Sequence, residues 1–226
     1  VTFSDGDGVG GVTSSCGITD EDFASCDGTS AALGDGSYTY TISVDDALGN
    51  SASDSVTFQV DTVEPSVTID STPSDPSNDN TPTFTFSISD ADSSVSSQCA
   101  FDWDNYASCT TPFTGAALSD GSHTFRVRAI DAGGNTAFAS YTWVTDATDP
   151  AAAITSDVVW ENDGVVTVTW TASDDGSGID TCTLTISDGQ TASCTGGDGS
   201  ADFTMADGVD FTANIAIADV AGNTGT

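Results

Sequence analysis

Three pairs of cysteines recur along the chain, Cys16/Cys26, Cys99/Cys109 and Cys182/Cys194, and the second of each pair closes an Ala-Ser-Cys tripeptide. Each pair is followed by an opening turn: Leu33-Gly-Asp35-Gly36, Leu118-Ser-Asp120-Gly121 and Met205-Ala-Asp207-Gly208. An apolar-alternating run then leads to a closing turn, Asp46-Ala-Leu-Gly-Asn50, Asp131-Ala-Gly-Gly-Asn135 and Asp219-Val-Ala-Gly-Asn223. The closing turns lie 85 and 88 residues apart, so the chain is an array of one unit of about 85 residues. Linkers Val60-Asp-Thr-Val-Glu-Pro65 and Val144-Thr-Asp-Ala-Thr-Asp-Pro150 separate the units. Pro suits a boundary because it cannot donate to a sheet ladder.

The expected units are 1–64, 65–149 and 150–226, and only the middle one is complete. Aligned on Cys99, Phe84 corresponds to Val1, so the first unit lacks the equivalent of Pro65 to Thr83 and with it a first strand. The third unit stops short of the strand that reads Phe138-Ala-Ser-Tyr-Thr-Trp143 in the middle unit. Two readings are open. The chain is a window cut from a longer array, or neighbouring copies lend the missing strands, since an unpaired sheet edge is normally covered.

Period-two alternation rules out a helical array. Tyr38, Tyr40, Ile42 and Val44 share one face of a strand. His123, Phe125, Val127 and Ala129 do so in the second unit, and Phe211, Ala213, Ile215 and Ile217 in the third. Further strands read Thr83–Ile88, Val165–Trp170 and Cys99–Trp103, the last returning through Asp104-Asn105 to Tyr106–Cys109. About seven short strands per unit, with turns every eight to twelve residues, specify an all-β chain of tandem immunoglobulin-like antiparallel β-sandwiches.

The charge is extreme, with 35 acidic residues against Arg126 and Arg128 and no Lys. Nucleic acid and anionic membrane are excluded as partners, since both require a basic surface. Self-repulsion of this size is relieved by salt or bound divalent cations, which suggests a saline or cation-rich exterior. The Cys pairs have nine, nine and eleven intervening residues and no His beside them. Zinc sites favour spacings of two to four, so disulfides in an oxidising compartment are expected. A short stapled loop contributes about 2–3 kcal/mol. No apolar run approaches the ~20 residues of a membrane span, and no signal peptide opens the sequence. It lacks an Asn-x-Ser/Thr sequon, while its many Ser and Thr leave O-linked sugars open.

The middle unit carries Asn78-Asp-Asn-Thr-Pro-Thr-Phe-Thr-Phe86, the Cys99/Cys109 pair, Leu118-Ser-Asp-Gly-Ser-His-Thr-Phe-Arg-Val-Arg-Ala-Ile-Asp131 and Tyr141-Thr-Trp-Val144. In these it resembles the tandem Ig-like repeats of very large secreted bacterial and archaeal surface proteins. The flanking units share the resemblance through their Cys pairs and turns. It implies a spacer or scaffold role outside the cell: fibre, surface layer, adhesin stalk, or accessory module of a secreted enzyme with carbohydrate binding. The partners implied are copies of the chain or other surface proteins.

The Asp-x-x-Gly-Asn turns carry the one metal expectation. Calcium takes six to eight oxygen ligands. Asp46 and Asn50 with the linker Asp61 form one candidate set, Asp131 and Asn135 with Asp146 a second, near Asp149, and Asp219 and Asn223 the third. The resemblance implies calcium at such junctions. The competing reading is a plain turn, in which Asp caps backbone N–H groups and Gly and Asn accept positive φ. Asp5-Gly-Asp-Gly8 lacks the twelve-residue calcium-loop pattern and reads as a turn, as does the matching Asp174-Asp-Gly-Ser-Gly178. His123, the only His, falls on an inward strand face and reads as a packing residue, not a base. Trp103, Trp143 and Trp170 sit in strand runs and are expected in cores, leaving Trp160 as the exposed candidate for a sugar platform. No catalytic constellation stands out, so the chain is expected not to be an enzyme.

Overall fold

The computed structural model describes residues 13–18, 21–23, 32–91, 93–156, 164–206 and 210–225. Among them the regular structure is β-strand throughout, without a helix. The early strands are β1 (Thr13–Ile18), β2 (Glu21–Phe23), β3 (Gly36–Asp45) and β4 (Ser51–Val60). Next come β5 (Ser66–Ser71), β6 (Thr83–Ser89), β7 (Val95–Phe101), β8 (Ala107–Ser108), β9 (Phe113–Thr114), β10 (Gly121–Asp131) and β11 (Thr136–Thr145). The last are β12 (Ala151–Ile154), β13 (Val165–Ser173), β14 (Ile179–Ile186), β15 (Thr191–Ser193), β16 (Gly199–Thr204), β17 (Ala213–Asp219) and β18 (Thr224–Gly225). The chain packs as two compact units, one of residues 1–67, 88–97 and 128–137, the other of 68–87, 98–127 and 138–226.

β1 to β4 form one antiparallel sheet in the order β2-β1-β3-β4, with Cys16 and Ile18 buried. Both faces of β3 are only half-buried, so Tyr38, Tyr40, Ile42 and Val44 are less enclosed than alternation alone suggests. The strands from β5 to β11 form a three-stranded sheet, β5-β6-β9, and a four-stranded one, β11-β10-β7-β8. Alternation in β10 is strict, and it buries His123, Phe125, Val127 and Ala129. Phe84 of β6 stacks on Phe125 of β10 at 4.2 Å between ring centroids, and Trp143 of β11 meets Phe84 at 5.2 Å. Aromatic rings from the two sheets thus fill the core between them, the arrangement of a sandwich.

The final seven strands repeat the pattern as β12-β13-β16 and β15-β14-β17-β18. Val166, Val168 and Trp170 of β13 and Phe203 of β16 face Leu184 and Ile186 of β14 and Ile215 and Ile217 of β17 in one core. Burial of Ile215 and Ile217 follows the expected face, with Phe211 and Ala213 at its margin.

Cys99 is joined to Cys109 and Cys182 to Cys194, with Cα–Cα distances of 5.7 and 4.8 Å. The first bridge ties β7 to the end of its antiparallel return β8. Cys16 is disulfide-bonded too, while Cys26 lies outside the described residues. The same is true of Trp160 and of Asp5 to Gly8. One expectation is overturned: Trp103 does not fill a core but is 94% exposed, whereas Trp143 and Trp170 are buried. β7 ends at Phe101, and a turn closed by Asp104 N–H donating to Phe101 O at 2.9 Å carries Trp103 outward.

Candidate functional site

The closing turns are three copies of one hydrogen-bonded motif. Asp131 Oδ1 accepts the N–H groups of Gly134 and Asn135 at 2.6 and 2.8 Å, and its Oδ2 accepts Asn135 Nδ2 at 2.9 Å. Asp219 holds Gly222 N, Asn223 N and Asn223 Nδ2 at 2.7, 2.9 and 2.7 Å. Asp46 holds Leu48 N, Asn50 N and Asn50 Nδ2 at 2.9, 2.8 and 2.6 Å. The Gly in each turn sits at φ between 85° and 99°, which a side chain rarely adopts. The Asn50 side chain and backbone N–H hold the Asp46 carboxyl below the usual range. Burial pushes the Asp131 carboxyl up, but the hydrogen bonds from Asn135, Gly134 and Gly133 outweigh it and leave it lowered.

An Asn amide has two donors. In the second and third turns the amide also reaches back to a linker: Asn135 Nδ2 donates to Asp61 O at 3.0 Å, and Asn223 Nδ2 to Asp146 O at 2.7 Å. Each linker is held from its other side by the opening turn of the preceding repeat. Asp35 Oδ1 accepts Thr62 N and Oγ1, both at 2.8 Å. Asp120 accepts Ala147 N at 2.8 Å and the Thr148 hydroxyl, and these two donors lower its carboxyl pKa. The hydrogen bonds pair the expected residues differently: the Asp61 carbonyl is held by Asn135 rather than by Asn50, and the Asp146 carbonyl by Asn223 rather than by Asn135. The reason is direction: a linker packs on the closing turn of the unit that follows it.

The Asp146 group contains Asp174, whose Asp-Asp-Gly-Ser-Gly sequence reads as a plain turn. Single carboxyl oxygens of Asp146, Asp174 and Asp219 lie within 4.8 Å of one another. Asp146 is fully buried and Asp219 is 2% exposed. Asp174 Oδ2 accepts Gly176 N and Gly178 N at 3.1 and 2.6 Å, while its buried Oδ1 finds no donor among the described residues. Ser177 N–H donates to Asp146 Oδ2. That approach requires Gly176, because a Cβ there would fall 2.3–2.4 Å from the Asp146 carboxylate. Two unit charges 4.8 Å apart, the outer separation in this carboxylate group, repel by roughly 3–4 kcal/mol at an effective dielectric of about 20. Backbone N–H groups offset part of that. At the other linker, Asp61 Oδ1 accepts Val63 N at 3.2 Å and its buried Oδ2 likewise finds no donor among the described residues. Asp149 is exposed and is not among the three clustered carboxylates.

His123 is buried, with Nδ1 2.8 Å from Asp102 Oδ2 and Nε2 2.7 Å from Ser119 O. A carbonyl and a carboxylate both only accept, so it is the doubly protonated ring that satisfies both contacts. Burial pushes His123 down, but these two bonds and the Asp102 charge leave its pKa raised. It is a packing residue with an internal ion pair.

No family model matches the chain, and no curated protein matches it. Solved structures do. The fibronectin(III)-like modules of Clostridium thermocellum CbhA match at 18% identity and a TM-score of 0.39, over 71% of this chain and 90% of that one. A tetra-tandem repeat from the extending region of a large adhesion protein matches at 22% identity and a TM-score of 0.31, over 94% of this chain and 64% of that one. The protein SGBP-B of a Bacteroides ovatus mixed-linkage glucan utilization locus, in complex with a mixed-linkage heptasaccharide, matches at 16% identity and a TM-score of 0.21, over 94% and 55%.

Proposed function

We propose that the chain is a load-bearing segment of an extracellular structural protein, built of three tandem Ig-like repeats spanning 1–64, 65–149 and 150–226. It serves as a spacer in a fibre, surface layer or adhesin stalk, among copies of itself or other surface proteins. The observation that carries this reading is the double clamp on each linker. The preceding Asp-Gly turn binds the linker amides, and the following Asn amide binds the linker carbonyl. A linker held at both ends resists hinge motion, which a spacer needs.

Calcium at the junctions is part of the same reading. Asp146, Asp174 and Asp219 would hold the ion at one linker, and Asp61 with Asp131 supply the carboxylates at the other. What fits is the donor set: oxygen only at both linkers, clustered at the Asp146 one, with the buried Asp174 Oδ1 and Asp61 Oδ2 finding no hydrogen-bond donor among the described residues. A bound divalent ion supplies the positive charge that offsets the carboxylate repulsion. Adding and chelating calcium while measuring thermal unfolding and the maximum dimension in solution scattering tests this. The expected result is a higher Tm and a narrower distance distribution with calcium. Identical curves in both conditions would sink the calcium assignment.

A further inference from the structure

Among the described residues Trp103 is the most exposed large apolar side chain, and it does not stand alone. Asp102 fixes it from behind. Asp102 takes a left-handed φ of 47°, its N–H donates to Thr124 O at 2.8 Å, and its Oδ1 accepts Thr124 N at 2.8 Å. Its Oδ2 pairs with His123 Nδ1. A non-Gly residue in that conformation, tied at this many points, is a built feature rather than a frayed turn. The guanidinium of Arg126 lies 5.8 Å from the Trp103 ring centroid and 5.4 Å from that of Tyr106. One guanidinium N–H donates to Asp104 O at 3.3 Å, and the buried Nε finds no acceptor among the described residues. In a chain with 35 carboxylates and two arginines, this cation is spent on holding aromatic faces.

Beside the ring lies a shallow depression of about 430 Å³, lined by Asp102, Trp103, Ser122, Thr124 and Arg126. We propose that it is a carbohydrate-binding subsite that stacks one neutral pyranose ring of a polysaccharide on Trp103. The apolar C–H face of a pyranose matches an indole plane, and its equatorial hydroxyls match a rim of donors and acceptors. Here the rim offers a carboxylate, two hydroxyls and a guanidinium around a single aromatic plate. A protein hot spot would instead bury apolar surface on several sides, and four of the five lining residues are polar or charged. A formal net charge of −33 and Asp102 in the wall disfavour anionic sugars.

The test uses the full chain on an array of neutral and acidic glycans, followed by affinity electrophoresis in the neutral polysaccharides that bind. The wild type is expected to be retained by at least one neutral polysaccharide. Trp103→Ala should weaken retention by about tenfold or more, and Trp103→Phe should recover part of it. Leu48→Ala, an exposed apolar side chain in the first closing turn, should bind as the wild type does. Circular dichroism confirms that each variant is folded. Three results would overturn the proposal: no retention by any neutral glycan, retention by acidic glycans alone, or Trp103→Ala binding unchanged. Trp103-dependent self-association in sedimentation without sugar binding would assign the surface to a second copy instead. None of these outcomes depends on calcium or on the linkers, so failure here leaves the stalk reading separately testable.

Discussion

The linker at Asp61 and the linker at Asp146 use the same clamp to different depths. Both offer a backbone carbonyl to the Asn of the following closing turn, at 3.0 Å for Asp61 and 2.7 Å for Asp146. At the second linker Asp146 is fully buried, Asn223 is 9% exposed, and a third carboxylate and the Ser177 N–H close over the group. At the first, Asp61 and Asn135 are only half-buried. At the second linker one residue accounts for much of this: a Cβ on Gly176 would fall 2.3–2.4 Å from the Asp146 carboxylate. Only a residue without Cβ lets the backbone approach the linker carboxylate this closely. The close cover on Asp146 therefore depends on the neighbouring loop as well as on the linker itself.

The strongest way to break this contrast is to fill the gap. Gly176→Ala places a methyl group 2.3–2.4 Å from the Asp146 carboxylate, and is expected to destabilise by about 3 kcal/mol in denaturant titration. Gly133→Ala, whose Cβ would meet Asp61 O at 3.0 Å, should cost no more than about 1 kcal/mol. Equal losses would mean that the two linkers are equally enclosed. Next comes the cation. If the proposed site binds calcium, a free concentration about a hundredfold above Kd stabilises by about 2.7 kcal/mol. Asp174→Asn should remove most of that shift in calorimetry, and Asp46→Asn none of it. Third, Asn223→Ala should cost about 2 kcal/mol and Asn135→Ala about 1, since an unsatisfied group costs more where water is excluded.

The smallest effects are those of pH, and they have opposite signs in two regions. Asp131 has a folded pKa lowered from 3.8. Its contribution is fully present above that value and lost as pH falls through the lower, folded one. His123 has a folded pKa raised from 6.5. Its ion pair contributes fully below 6.5 and is lost as pH rises through the higher folded value. NMR titration should place the Asp131 midpoint below 3.8 and the His123 midpoint above 6.5. Ordinary midpoints at both would remove the hydrogen-bonded accounts of these residues.

The strands were legible because their signals are local. Strict alternation in β10 names His123, Phe125, Val127 and Ala129, and Asp-Gly and Gly-Asn turns bound the runs. The closing turns were legible for the same reason. Which linker packs on which turn was not, because that pairing joins residues 74 and 77 positions apart and has no period to betray it. Asp174 reads only as a turn residue because its sequence, Asp-Asp-Gly-Ser-Gly, is that of an ordinary turn. Its five-residue frame, closing on Gly178 N as Asp219 closes on Asn223 N, was the available signal. Trp103 was misplaced because alternation cannot say where a strand ends, and here a single left-handed Asp102 ends it.

Residue-resolved hydrogen exchange at the linker amides tests the double clamp most directly. Thr62 and Ala147 donate their N–H groups to Asp35 and Asp120. Both amides are expected to exchange well below free-chain rates, and Asp35→Ala and Asp120→Ala should each abolish protection at their own linker alone. Free-chain exchange at both amides in the wild type would show that the linkers are loose, and the account of a stiffened spacer would fall with it.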